Sequence, residues 1–247
     1  MPTYTPPLRD MQFVMHEVLK VCDDFRAMPR HADIDAATID AVLEEAGKFA
    51  TEVTLPLNIS GDTEGCRLDT ATHSVTTPKG FKEAYAQYVA GGWPALSCDP
   101  EFGGQGLPLV VNQCMYEMLN STNQAWTMYP GLTHGAYAAL RAHGTDAQKQ
   151  AYLHKMTSGE WTGTMCLTEP HCGTDLGLMR TRAEALPDGT YRITGSKIFI
   201  SAGEHDMAGN IIHLVLARLS DAPPGIKGIS LFVVPKFHVA ADGSLGA

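Results

Sequence analysis

The spacing of apolar residues changes once along this chain, near Gly159, and that change limits the folds open to it. Before it, apolar residues recur at helical intervals; after it, they alternate as strands do. Met11, Met15, Val18, Cys22 and Phe25 follow one another at intervals of four, three, four and three. Such intervals put all five on one face of a helix. Pro29 stands where that helix should stop. A second helix is predicted over 35–53, with Ile39, Leu43, Ala46, Phe49, Ala50 and Val53 inward and Pro56 ending it. Thr77-Pro78 reads as cap and first position of a third. Its inward side carries Phe81, Ala84, Tyr85 and Tyr88, and Gly91-Gly92 closes it. Helices resume over 108–120 and 131–142, and Thr145 with Gln148 forms a capping-box pattern for one more.

Beyond Gly159, strands are predicted over 161–168, 179–186 and 191–194, the last two joined by a Pro187-Asp188-Gly189 turn. Segments 197–201, 211–219 and 229–234 are further strand candidates. Helices first and strands second give an α+β class, an all-α domain followed by a β-sheet domain. The division drawn is an extension helix over 1–34, a helical domain over 35–160 and a β domain over 161–247. The tail 240–247 reads as a turn rather than a finished element, so the β domain is expected to be incomplete there.

A net charge of −9 repels phosphate backbones, which argues against wholesale nucleic-acid binding. A phosphorylated ligand stays open, since backbone N–H groups and local cations can hold one. The N-terminus MPTYTPPLRD has no basic start followed by an apolar run, and no stretch approaches the length of a membrane span. The six cysteines are scattered, with no CxxC pair. Reduced thiols in a cytoplasmic protein are the simplest reading, with disulfides or zinc as the alternative.

The chemistry-bearing segment runs from Met165 to Asp175. A strand leads into Pro170 and then into a small-residue loop, which frees backbone N–H groups and lets a ligand approach the main chain. Thr168 and Thr174 add hydroxyls, and Ser201 ends a second strand candidate. Two strand ends with hydroxyls suit a flat heterocycle with polar edges. A β-turn with local Ser/Thr bonding accounts for the same residues equally well. His171 beside Cys172 is a pair of metal-type side chains without partners at fixed spacing, and no metal site is assigned.

The loop Leu167-Thr168-Glu169-Pro170-His171-Cys172-Gly173-Thr174-Asp175 resembles the signature of the acyl-CoA dehydrogenase family. Four other segments resemble the family in order and spacing: Phe49 to Pro56, Gly92-Trp93 through Gly106, GTDAQKQAYLHKMTSGEWTG at 144–163, and YRITGSKIFIS at 191–201. Residues 1–34 and the insert-like stretch 61–77 resemble the longer bacterial branch of that family, the 3-methylmercaptopropionyl-CoA dehydrogenase type.

The resemblance implies a flavoprotein that oxidises the Cα–Cβ bond of an acyl-CoA thioester to a 2-enoyl-CoA, with FAD as hydride acceptor. It implies that Met165, Cys166, Leu167 and Thr168 run along the flavin, with the Thr168 hydroxyl at the pyrimidine edge. Phe199, Ile200 and Ser201 match a second flavin-contacting segment, with Ser201 near N5. Thr174 matches a position on the acyl-CoA arm. His171-Cys172 departs from the small residues usual there and is expected to narrow the CoA entrance. The family's base is a Glu in a C-terminal helical domain; nothing here matches it, so no catalytic residue is assigned and the base is expected beyond residue 247. Glu169 reads as a loop-bracing carboxylate. The resemblance also implies an electron-transfer flavoprotein as acceptor and a homo-oligomer. An oxidase or monooxygenase on the same fold, or a nucleic-acid-associated flavoprotein, are the alternatives carried forward.

Overall fold

The first apolar stripe is interrupted where the sequence predicts one helix. In the computed structural model, which describes residues 3–240 and 242–246, α1 spans Leu8–Gln12, a π-helical turn covers Phe13–Val18, and α2 spans Val21–Arg26. The outermost residues of the expected extension and tail, with Ala241, lie outside the described residues. Lys20 breaks the path with φ of +52°. A π turn adds a residue to the 3.6 period, so the inward register shifts. Met11, Met15, Val21 and Phe25 are buried while Val18 is 59% exposed. The buried four join the same core as Ile39, Leu43, Phe81, Tyr88 and Trp126.

α3 spans Ala36–Phe49 and is capped by Asp35, whose carboxylate accepts from the Thr38 N–H at 2.8 Å. A second π turn at Ala50–Thr54 continues it. Pro56 does not end the path but caps α4, Leu57–Glu64, where its missing N–H costs nothing. The hairpin of β1, Arg67–Asp69, and β2, Ser74–Thr76, occupies the insert-like stretch. Thr77 is not a cap: α5, Phe81–Ala90, is entered through Gly80 at φ of +93°. The Thr77 N–H and hydroxyl instead donate to Asp206, at 3.1 and 2.8 Å. Phe81, Ala84, Tyr85 and Tyr88 are buried, as their spacing requires.

α6, Leu109–His143, is two helical segments that meet at Asn123, with φ of −157° and ψ of 84°, so the two helices expected over 108–142 are present, with 121–130 helical as well apart from that one residue. Asn123 acts as a cap inside the helix. Its Oδ1 accepts from the Trp126 N–H at 3.0 Å, and its Nδ2 donates to the Thr54 carbonyl at 3.2 Å. α7, Asp146–Thr157, carries the full capping box of Thr145 and Gln148. No helix is long and apolar enough to cross a membrane among the described residues.

The sheet is built around β6, Asn210–Leu219. β3, Trp161–Cys166, lies parallel to its first half, and β4, Arg182–Ala185, meets its end in parallel. β5, Tyr191–Thr194, pairs back on β4, and β7, Ile229–Pro235, runs antiparallel to β6. The face of β3 and β6 packs on α6 and α7 through Trp161, Ile212, Leu214, Ala136, Leu140 and Leu153. Gly163 allows this contact: a Cβ there would sit 2.5 Å from the Ala136 Cβ. The helical half thus presses against one end of the sheet, and the loops leaving β3 and entering β6 meet at its rim.

Candidate functional site

β3 ends at Cys166, so Leu167 and Thr168 are the first loop residues rather than strand. The chain then makes a tight turn in which Glu169 and Cys172 exchange both backbone bonds, at 2.8 and 3.1 Å. This turn aims the Glu169 carboxylate inward, where it is almost fully buried. One oxygen accepts from the Thr181 N–H at 2.9 Å, the Thr181 hydroxyl at 2.5 Å and Lys197 Nζ at 3.0 Å. The other accepts from the Arg180 N–H at 2.8 Å. Burial pushes this carboxyl up, but the Thr181, Arg180 and Lys197 donors together outweigh burial and hold it at about 2. Glu169 is therefore a brace, charged and fully engaged, and is poorly placed to accept a substrate proton. Lys197 also donates to the Leu167 carbonyl at 3.1 Å, so one cation ties the loop at two points.

The segment 197–201 is not a strand, contrary to its alternation. It runs as a bend and turn, with Phe199 and Ala202 both at φ of +55°. Left-handed backbone at two residues with side chains cannot continue a pleated ladder. Three bonds hold the turn to its neighbours. The Ile198 N–H donates to the Thr168 carbonyl at 3.0 Å. The Thr164 hydroxyl donates to the Ser201 carbonyl at 2.6 Å. His213 Nε2 lies 2.7 Å from the Gly203 carbonyl. The structure therefore joins the 165–168 and 199–201 segments that the sequence singles out.

What these segments leave unused is equally specific. The Thr168 and Ser201 hydroxyls have no protein partner among the described residues. Phe199 is 87% exposed. An open concavity of about 490 Å³ adjoins them. Cys166, Ile200, Ala202, Gly203, Glu204 and His213 form one side of it, and Cys66, Val75 and Tyr129 of the helical half form the other. Of the eight residues singled out in sequence, only Cys166 and Ile200 line it. Burial pushes the Cys166 thiol up to about 11, against a weaker pull from Lys197, so it stays neutral. Thr174 is exposed, does not line that concavity and also has no protein partner among the described residues. His171 Nε2 donates to the Leu178 carbonyl, 2.9 Å away. Glu169, His171 and Cys172 lie close together, yet the Lys197 ammonium on Glu169 opposes a second cation there.

Sequence reasoning read Thr77 as a helix cap and assigned no site role to the residues that hold the rim, Lys197, Thr164, His213 and Asp206. His205 is another. Burial lowers it to about 4, the Met207 N–H donates to Nδ1 at 3.1 Å, and Nε2 therefore carries the proton toward the Thr162 hydroxyl at 2.9 Å. The only linear signal for this network is the density of polar residues between Gly203 and Asn210, which a loop shows as readily.

The sequence profile of the acyl-CoA dehydrogenase N-terminal domain matches residues 37–160, and that of the acyl-CoA dehydrogenase middle domain matches 164–243. The chain belongs to the acyl-CoA dehydrogenase family. It is 47% identical to a 3-methylmercaptopropionyl-CoA dehydrogenase of Ruegeria pomeroyi, over 98% of this chain and 40% of that protein. It is 38% identical to a butyryl-CoA dehydrogenase of Syntrophomonas wolfei, over 99% of this chain and 40% of the relative. Among solved structures, butyryl-CoA dehydrogenase from Megasphaera elsdenii superposes with a TM-score of 0.66 at 26% identity, over 80% of this chain and 48% of that one. The chain thus spans about two-fifths of the length of the curated relatives it matches. Their fold, a helical domain followed by a sheet, is the one described above.

Proposed function

We propose that this chain supplies the flavin-ring side of an FAD-dependent acyl-CoA dehydrogenase, which oxidises the Cα–Cβ bond of an acyl-CoA thioester to a 2-enoyl-CoA. The observation that carries the reading is the stitched pair of segments 165–168 and 199–201. Together they offer two unpartnered hydroxyls and an exposed aromatic ring beside an open concavity. That set fits a flat ring with polar edges. Met165, Cys166, Leu167 and Thr168 on one side and Phe199, Ile200 and Ser201 on the other would hold the isoalloxazine. When bound, FAD supplies the hydride acceptor.

The protein's own residues orient and shield. Thr168 and Ser201 can each donate a hydrogen bond to a ring edge. Ser201 is the one assigned to the side that gains negative charge, where a fixed donor matters most. Glu169 and Lys197 keep the loop rigid beneath them, which limits reorganisation during the reaction. Among the described residues, the two carboxylates beside the rim, Glu169 and Glu204, are both engaged. Glu169 is saturated, and Glu204 accepts from Lys236 at 2.5 Å and from the His205 N–H at 3.1 Å. The proton-abstracting group is accordingly assigned to the rest of the protein, in line with the greater length of the relatives. Thr174 is assigned to the acyl-CoA arm, outside the flavin-facing rim.

The working division is a helical extension over 1–34, a helical domain over 35–160 and a β domain over 161–247. An electron-transfer flavoprotein as acceptor, a cytoplasmic location and a homo-oligomeric assembly complete the proposal. The test is acyl-CoA-dependent bleaching of the flavin band in the FAD-loaded protein that carries this chain, with butanoyl-, octanoyl- and palmitoyl-CoA. Ser201→Ala should slow bleaching by about tenfold or more, and Thr168→Ala by less. Equal rates for both variants and the parent would overturn the placement of these two segments.

A further inference from the structure

We propose that His213 is a positioning residue for the flavin, acting through the Phe199–Gly203 turn; this rests on reading that turn as a flavin contact. Both ring nitrogens of His213 face backbone carbonyls, and a neutral imidazole, with a single N–H, donates to one of them. Nδ1 lies 3.1 Å from the carbonyl of Val234, its own ladder partner on β7, and Nε2 lies 2.7 Å from the carbonyl of Gly203. The shorter contact, to Gly203, is assigned the N–H donation; since His213 stands on β6, that bond ties the sheet to the turn. Within the turn, Phe199 and Ala202 stand in left-handed backbone that side chains disfavour, so outside contacts must hold it.

Of the three bonds that do so, the Ile198–Thr168 bond lies before Phe199, and the Thr164 bond lies at Ser201. The His213 contact alone of the three pins the stretch after Ala202. Without it, Ser201 stays tied by its carbonyl and the chain is next held at Glu204, by Lys236, and at His205, by Thr162, so Ala202 and Gly203 lose their outside contact and the direction of the Ser201 hydroxyl is no longer fixed. His213 also lines the concavity beside Cys166 and Ile200, so its loss alters the site itself rather than a remote brace.

The experiment measures FAD affinity and the visible flavin spectrum of the protein that carries this chain, in four variants. His213→Phe keeps a ring without donors; His213→Gln keeps an N–H donor of similar reach. Phe199→Ala and Ser201→Ala report on the turn directly. The expected result is FAD binding about tenfold weaker in His213→Phe, the worth of one lost hydrogen bond of good geometry, with an altered flavin band. His213→Gln should recover most of both. Should His213→Phe fail to fold, His213→Asn, too short to reach Gly203, takes its place in the comparison with Gln. Parental affinity and spectrum in His213→Phe, while Ser201→Ala or Phe199→Ala shift them, would overturn the proposal and leave the flavin reading standing. Equal impairment in the Phe (or Asn) and Gln variants would overturn it in favour of simple packing. No effect in any of the four would sink the flavin reading of the turn along with it.

Discussion

Replacing Glu169 by Gln tests whether the signature loop is held by one buried charge. The carboxylate accepts four bonds, from Thr181 twice, from Arg180 and from Lys197. A Gln amide of the same shape can accept at its oxygen only, so its NH₂ would face donors, and Lys197 would lose its counter-charge. Removing one partner of a buried pair costs on the order of 3–5 kcal/mol. The titration of Glu169 leads to a similar figure. Its carboxyl is held at about 2, against an ordinary value of 4.5. That difference is worth roughly 3 kcal/mol at 1.36 kcal/mol per unit. The folded-state value is depressed, so this stability is fully present above 4.5 and is lost as the pH falls toward 2. In a chain of 247 residues, roughly 3 kcal/mol corresponds to a Tm lower by about 6–12 °C at neutral pH. The assay is thermal unfolding of parent and Glu169→Gln, followed by circular dichroism from pH 7 down to about 2.5. Other carboxylates titrate in the same range, but they do so in both proteins, so the difference between the two curves isolates Glu169. That difference should be large and flat above pH 5 and should narrow below 4.5. Two curves that stay parallel throughout would refute the reasoning, whatever their separation.

Asn123→Ala removes the internal cap of α6 and its bond to Thr54, and should lower stability by about 1–2 kcal/mol, read by chemical denaturation, with flavin content unchanged. Thr174→Val in the FAD-loaded protein should raise KM for acyl-CoA more than it lowers kcat, because a contact to the CoA arm is shared by ground and transition states; a fall in flavin content at constant KM would reassign Thr174 to the cofactor or the loop. Asp206→Ala leaves the Thr77 N–H and hydroxyl without their acceptor at a buried position and should cost about 1–3 kcal/mol, seen as faster proteolysis in the 66–77 hairpin if that hairpin is held to the sheet by this pair.

The elements that sequence pattern predicted well are those decided within one helical turn or one strand. Asp35, the Thr145–Gln148 box and the inward set Phe81, Ala84, Tyr85 and Tyr88 each rest on local geometry. The failures share a different cause. Val18 satisfies the helical interval, yet the π turn at Phe13–Val18 moves Val21 into its place, and a residue inserted into the winding leaves no mark on composition. The expected break between helices over 121–130 is confined to Asn123, whose side chain caps the following segment by accepting from the Trp126 N–H. The segment 197–201 alternates like a strand, but its path is set by Thr164, Thr168 and His213, which lie 31 or more residues before Phe199 or 14 after it. The same long-range bonds explain why candidate site residues were legible as types and not as an arrangement. Thr168 and Ser201 stand out because the segments that carry them resemble the family's motifs, whereas the residues that aim them are distributed over β3, β6 and the polar stretch after Gly203. A site whose ligand-facing groups are local and whose supports are distant is half readable from one sequence. The half that is not readable is the part that holds Phe199 and Ala202 in a conformation their own chemistry disfavours.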